Sequence, residues 1–150
     1  MSTTCHNILL LVFVLVLVAE EAVATIYQDC GSQAMVSEFS ITNCDVPPCL
    51  VPRPSTYHVN ITFTPESSSQ ELETVILANI GGSDFPWPGP DGCTLLEGDS
   101  CPLVPGETYK YRAVMPVLAE YPAVSAVVTW KLRDEKGVKH VCAMLPITLI

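Results

Sequence analysis

Apolar and polar residues alternate with a period of two along most of this 150-residue chain. The segment 56–64, TYHVNITFT, shows the pattern most plainly, with an apolar side chain at every second position. Because successive side chains of a β-strand point to opposite faces of a sheet, the pattern predicts strands with one buried face. Five more segments are predicted as strands: 34–42, 71–80, 108–117, 124–133 and 139–150. The segment 71–80 is more continuously apolar, which is typical of a strand buried on both faces.

The connectors between these segments are rich in turn residues, and 134–137, DEKG, fits a tight hairpin loop between the last two strands. Six or seven strands at this spacing predict an all-β sandwich of two antiparallel sheets. Sheets that pack about 10 Å apart fill the space between them, whereas sheets that splay line a cavity with the same side chains. The alternation is compatible with both outcomes. The aromatic residues on the inward faces are Tyr57, Phe63, Tyr109, Tyr111 and Trp130.

The first 24 residues have the pattern of a secretory signal peptide. Eleven apolar residues, 8–18, are followed by Glu20, Glu21 and the small-residue run 22–24. Eleven residues in a helix reach only about 16 Å, roughly half the thickness of a bilayer core, which argues against a membrane anchor. We therefore expect residues 1–24 to be removed and residues 25–150 to form one domain that does not span a membrane.

The charge of this domain limits its partners. Loss of Glu20 and Glu21 lowers the count of acidic residues from 16 to 14 against seven basic ones, a net charge of −7. Such a domain repels the phosphates of nucleic acid, so we expect no nucleic-acid partner.

Cysteine usage supports an exported protein. Without Cys5 the predicted domain has six cysteines: Cys30, Cys44, Cys49, Cys93, Cys101 and Cys142. An even number in an exported chain predicts three disulfides, although the sequence alone allows fifteen pairings. A zinc site is disfavoured because no CxxC pair is present and His58 and His140 lie far apart in the sequence.

Chemical motifs are few. The sequence Asn60-Ile61-Thr62 is an N-glycosylation acceptor, and the alternation of its strand places Asn60 on the outward face. There is no GxSxG, HExxH or phosphate-binding glycine loop. We therefore expect a protein that is not an enzyme and needs no cofactor or metal.

The segment 84–93, DFPWPGPDGC, has proline at every second position from Pro86 to Pro90. Proline donates no backbone hydrogen bond, so we expect this segment to stay out of the sheets. It can be a solvated loop, a polyproline ligand or a stiff lip beside an apolar cavity.

Several segments together resemble the Niemann-Pick type C2 proteins. They are DCGS at 29–32, CDVPPC at 44–49, YHVNITFT at 57–64, FPWPGPDGC at 85–93, CPLVPGETYKY at 101–111 and EYPAVSAVVTWKLRD at 120–134. The segments CPLVPGETY and GVKHVCA also resemble the mite group 2 allergens, which suggests an arthropod member. These families share the MD-2-related lipid-recognition (ML) domain, an immunoglobulin-like sandwich whose sheets splay around a lipid.

The resemblance implies a disulfide pattern and a binding site. It pairs Cys30 with Cys142, Cys44 with Cys49, and Cys93 with Cys101. It also places Phe85, Val117 and Tyr121 at the mouth and wall of a lipid cavity, and Tyr57 and Trp130 deeper. Three features differ from the vertebrate sterol carriers, and we expect all three to lie at the mouth: Trp87, Gly89 and the lengthened loop 93–101. Of these, Trp87 is the one we expect to affect ligand choice most.

The function implied is that of a monomeric lipid carrier. It is secreted or located in the lysosomal lumen, binds a sterol, and delivers it to membranes or a membrane receptor. An extracellular carrier of fatty acids or semiochemicals is the first alternative. An innate-immunity module that presents microbial lipid is the second.

Overall fold

The computed structural model describes residues 23–150, so most of the predicted signal peptide, residues 1–22, lies outside the described residues. The strands in chain order are β1 (Gln28–Asp29), β2 (Met35–Ile41), β3 (Cys49–Val51), β4 (Ser55–Thr64), β5 (Glu73–Ile80), β6 (Ser83–Trp87), β7 (Tyr109–Val117), β8 (Ser125–Arg133) and β9 (Lys139–Leu149). Within the described residues the one helical element is a 3-10 turn, Gly92–Leu95.

The strands form two sheets, which confirms the predicted all-β sandwich. One sheet has six strands in the order β1-β9-β8-β5-β6, with β3 paired to β9, and the other has the order β2-β4-β7. The six long strands match the six segments predicted from the sequence. The short strands β1, β3 and β6 were not predicted, and β3 runs parallel to β9, an exception to the antiparallel pairing.

The expectation that the proline-rich segment stays out of the sheets is wrong for its first half. Residues Ser83–Trp87 form β6 and pair antiparallel with β5, with Pro86 opposite Leu77. β6 is the last strand of its sheet, and an edge strand tolerates proline because one side of its backbone needs no partner strand.

The strand β5 also differs from its prediction as a strand buried on both faces. Its inward residues Thr74 and Ile76 are buried, but Val75 and Leu77 on the other face are only half-buried. The outer face of the six-stranded sheet is therefore partly open to solvent, and β5 follows the same one-sided pattern as its neighbours.

One half of the sandwich is a filled core. Phe63, Tyr109 and Leu132 are buried there, and the rings of Phe63 and Tyr109 pack at a tilt of 31° with centroids 6.0 Å apart. The Tyr111 hydroxyl meets the Thr74 hydroxyl at 2.9 Å, and burial raises the pKa of Tyr111 to about 12. The contact between Thr74 on β5 and Tyr111 on β7 thus joins the two sheets directly in this half of the fold.

Three disulfides close the fold, in the pairs that the family resemblance implies: Cys30–Cys142, Cys44–Cys49 and Cys93–Cys101. The first joins residues 112 positions apart and so fastens the segment after β1 to β9. In the chain-entropy model a loop of that length is worth about 4 to 5 kcal/mol of stability.

A buried pair lies beside the hairpin between β8 and β9. The Asp134 carboxylate accepts hydrogen bonds from the backbone N–H groups of Lys136 and Val138, which forms the tight turn predicted at 134–137. Its other oxygen lies 3.4 Å from Nε2 of His140, and both side chains are almost fully buried. Burial lowers the pKa of His140, and the nearby Asp134 charge opposes this shift only in part.

Candidate functional site: an apolar cavity between the sheets

The other half of the sandwich contains a cavity of about 630 Å³. Its walls come mainly from the two sheets, with β2, β4 and β7 on one side and β3, β5, β6, β8 and β9 on the other. Proteins commonly bind small molecules in cavities of roughly 300 to 1,000 Å³. The inward faces predicted from the sequence therefore form a filled core in one half of the sandwich and the walls of a cavity in the other half.

All six residues assigned to the site from the sequence line this cavity. Tyr57 on β4 and Trp130 on β8 are buried in its interior, and Val117 at the end of β7 is buried in its wall. Phe85 on β6 is 52% exposed and lies at the opening.

The remaining two site residues, Trp87 and Tyr121, make an aromatic contact that narrows the opening. The Trp87 ring at the end of β6 meets the Tyr121 ring edge to face, with centroids 4.8 Å apart and planes at 83°. Such pairs contribute about 0.5 to 1.5 kcal/mol beyond the burial of their area. Trp87 and Tyr121 are both half-buried, so this contact forms part of the rim rather than the interior.

The interior carries no formal charge. Among residues 23–150, none of those that line the cavity is Asp, Glu, Lys, Arg or His. The Tyr57 hydroxyl donates to the Leu50 carbonyl at 3.3 Å, and the buried indole N–H of Trp130 has no hydrogen-bond partner in the described structure. Such a site can hold an apolar molecule, and it offers very few groups to a polar one.

Sequence reasoning left out much of the wall. The unassigned residues include Ile76 on β5, Met115 on β7, Ala126 on β8 and Leu145 on β9. The signal that could have found them is the same alternation, because the last three occupy inward positions of their predicted strands. Alternation does not distinguish the inward residues of a strand that line the cavity from those that lie in the filled core.

The expectation that three departures from the vertebrate carriers lie together at the mouth is wrong for two of them. Trp87 lines the cavity, but Gly89 and the loop 93–101 do not. A Cβ on Gly89 would stand 1.8 Å from the Thr74 carbonyl oxygen, so glycine is required there by close backbone approach. The loop 93–101 lies beside Leu72, next to the first residues of β5, whereas the cavity is lined by the later ones.

Asn60 does not line the cavity and lies on the outward face of β4. Its side-chain oxygen accepts a hydrogen bond from Arg112 Nε at 3.0 Å, and its amide nitrogen lies 3.4 Å from the Ser40 hydroxyl. The side chain is half-buried, and its glycosylation stays a prediction.

Residues 24–149 match the model of the ML domain family. The chain is 34% identical over 122 residues to the NPC intracellular cholesterol transporter 2 of Bos taurus, covering 81% of this chain and 82% of the bovine protein. It is 34% identical over 125 residues to the homolog a of that transporter from Drosophila melanogaster, covering 80% of this chain and 84% of the fly protein.

A solved structure agrees with these sequence matches. The crystal structure of a Niemann-Pick type C2 protein from the Japanese carpenter ant superposes with a TM-score of 0.73 at 27% identity. The alignment covers 83% of this chain and 99% of the ant protein. Insect proteins thus stand among its similar proteins beside a mammalian one.

Proposed function

The chain belongs to the ML domain family, within the Niemann-Pick type C2 group, and we propose that it carries a sterol in the cavity between its sheets. The observation that carries the proposal is the uncharged, aromatic-lined interior of about 630 Å³. The bovine and fly relatives are both cholesterol transporters by name, which supports a sterol over other apolar ligands.

The chemistry of the interior favours a neutral ligand. Burying an ionised carboxylate without a partner costs several kcal/mol, and the lining residues supply no cation to offset that cost. A sterol has one hydroxyl, which can remain at the opening while the rings and tail enter the cavity. Burial of about 400 Å² of apolar ligand surface favours binding by roughly 10 kcal/mol before the cost of association.

Reversible burial is the mechanism that follows from this geometry. The ligand enters and leaves through the opening near Phe85 and Tyr121. Because apolar burial alone holds it, binding needs no covalent or metal chemistry. The proposal therefore assigns no catalytic residue. The site residues Tyr57, Phe85, Trp87, Val117, Tyr121 and Trp130 are proposed as lipid contacts.

The cellular route is a further part of the proposal. Three disulfides are typical of proteins that fold in an oxidising compartment, which supports secretion or residence in the lysosomal lumen. No helix in the described part of the chain is long and apolar enough to cross a bilayer. We propose that the carrier acts as a monomer that releases its lipid to a membrane or to a membrane receptor.

A binding titration tests the ligand class. The purified protein, stripped of lipid by organic extraction, is titrated with dehydroergosterol, a fluorescent sterol, and separately with cis-parinaric acid, a fluorescent fatty acid. We expect saturable binding of one sterol per chain, competed by unlabelled cholesterol, and weaker binding of the acid.

The outcomes separate the candidate functions. Tight binding of the acid with no sterol binding would favour the fatty-acid carrier instead. Binding of neither probe by correctly folded protein would refute the lipid-carrier proposal.

A further inference from the structure

Two chain crossings from one sheet to the other meet beside the cavity opening. The segment 52–54 leads from β3 in the six-stranded sheet to β4 in the three-stranded sheet. The segment 118–124 leads from β7 back to β8 in the six-stranded sheet. They are adjacent because Ser55, the first residue of β4, pairs with Val117, the last residue of β7.

A single side chain joins these two crossings. Arg53 donates from one terminal guanidinium nitrogen to the backbone carbonyl of Tyr121. Its Nε donates to the carbonyl of Ile150 at 3.2 Å, just beyond the end of β9. The planar guanidinium has several donors in a fixed arrangement, so one arginine can hold both carbonyls at once.

The backbone around Arg53 is itself held to the six-stranded sheet. The Arg53 N–H donates to the Ile150 carbonyl at 3.0 Å, and the Ile150 N–H donates to the Val51 carbonyl at 3.0 Å. Pro52 and Pro54 flank the residue, and proline fixes φ, which limits backbone movement on both sides. The Arg53 guanidinium thus reaches the segment 118–124 from a backbone position that hydrogen bonds and two prolines restrain.

That segment has few other backbone restraints. In the described structure its backbone hydrogen bonds outside strands are Tyr121 N–H to the Leu118 carbonyl at 3.3 Å and Leu149 N–H to the Val124 carbonyl at 2.9 Å. The ring of Tyr121 lines the cavity and meets Trp87 across the opening. The bond from Arg53 to the Tyr121 carbonyl is thus one of the few polar contacts that hold the backbone carrying this ring.

We propose that Arg53 is a positioning residue that holds Tyr121 against Trp87 at the opening and so sets the rate at which the bound lipid leaves. The inference rests on the proposed function, since it concerns the exchange of the same ligand. Arg53 does not line the cavity, so its effect on the ligand is transmitted through Tyr121.

Measurement of lipid release tests this role. Protein loaded with dehydroergosterol is mixed with excess lipid vesicles in a stopped-flow instrument, and the dissociation rate is read from the loss of energy transfer from tryptophan. We expect Arg53→Met to raise the rate about tenfold, the change expected for loss of one hydrogen bond from a charged donor. Arg53→Lys, which keeps the charge but lacks the planar arrangement of donors, should give an intermediate rate.

Two further variants show whether the effect passes through Tyr121. Arg133→Met makes the same substitution at the other end of β8, where the side chain bonds to Glu73, and should leave the rate unchanged. In a Tyr121→Ala background, Arg53→Met should raise the rate less than twofold. A tenfold effect of Arg53→Met in that background as well would overturn the proposal, because Arg53 would then act elsewhere.

Hydrogen exchange supplies a readout that does not depend on ligand. Arg53→Met should speed exchange of the amides in 118–124 in lipid-free protein, and Arg133→Met should not. Unchanged exchange there together with an unchanged release rate refutes the role of Arg53 while leaving the carrier function intact. Failure of the wild-type protein to bind sterol in the equilibrium titration would instead refute the sterol-carrier function, and this inference about sterol release with it.

Discussion

Filling the cavity from Val117 is the most informative perturbation of this fold. Val117 is buried at the end of β7 and lines the cavity, so the larger side chain of Val117→Phe has empty space to enter. Phenylalanine adds roughly four CH2-sized groups, and a ligand loses about 0.8 kcal/mol for each such group it can no longer bury. The expected loss is about 3 kcal/mol, which is an increase in Kd for sterol of more than a hundredfold.

The same substitution in the filled half of the sandwich is the matched control. Val141 on β9 is fully buried but does not line the cavity. Overpacking a filled core costs about 1 to 3 kcal/mol, so Val141→Phe should lower the free energy of unfolding by that amount. Val117→Phe should lower it by less than about 1 kcal/mol.

Two measurements decide the comparison: a dehydroergosterol titration and urea denaturation of both variants. Equal losses of stability in the two variants would mean that the space beside Val117 is filled core, and the cavity account would be wrong. Unchanged sterol affinity in Val117→Phe would mean that the ligand binds elsewhere.

Three other substitutions test separate parts of the structure. Trp87→Leu removes the ring contact with Tyr121, and we expect Kd for sterol to rise about three- to tenfold. The ratio of the Kd values for sterol and fatty acid should change more than it does in Phe85→Leu, measured by the same titrations. Equal changes of this ratio in the two variants would show that Trp87 does not set ligand choice. Asn60→Gln should remove one glycan's mass from protein secreted by eukaryotic cells, and identical masses for the two proteins would refute glycosylation at this site. Burial lowers the pKa of His140 below the value of about 6.5 expected in the unfolded chain, so its contribution to the free energy of unfolding is complete above pH 6.5 and is lost as the pH falls toward the folded pKa. His140→Asn should therefore lose less stability between pH 7.5 and pH 5.5 than the wild type in urea denaturation, and equal losses would assign the pH dependence to other groups.

The long strands could be predicted from the sequence because each has one buried face. In β4 the buried residues Tyr57, Val59, Ile61 and Phe63 follow strict alternation. The edge strand β6 was not predicted from the sequence because Pro86 argues against a strand. Proline is incompatible only with a central strand, however, and the sequence does not show which strand lies at an edge.

His140 shows a second limit of alternation. Leu132 pairs with Val141 and Arg133 pairs with Lys139, so His140 is an extra residue in β9 at a β-bulge. The centroid of its ring lies 6.4 Å from that of Phe63. His140 and the next residue, Val141, are both buried, whereas strict alternation would bury only one of the two. A bulge shifts the alternation by one residue, which a fixed period of two cannot anticipate.

The site was accessible to prediction only in part. Tyr57 and Tyr109 both occupy inward positions, yet one lines the cavity and the other packs in the filled core. What separates them is whether the space between the sheets beside them is filled, and the alternation is the same in both cases. The family resemblance supplied five of the six site residues, and Trp87 was singled out as a departure from it. The resemblance gave no indication of the contact between Arg53 and Tyr121.

The proposed function requires that the uncharged cavity hold one sterol per chain. Native mass spectrometry of the protein, secreted from eukaryotic cells and purified without detergent, measures the mass of whatever ligand is bound. We expect a 1:1 adduct with the mass of a sterol, and we expect it to be absent from Val117→Phe purified in the same way. An adduct with only the mass of a fatty acid, or a sterol adduct of equal abundance in Val117→Phe, would contradict the proposed function.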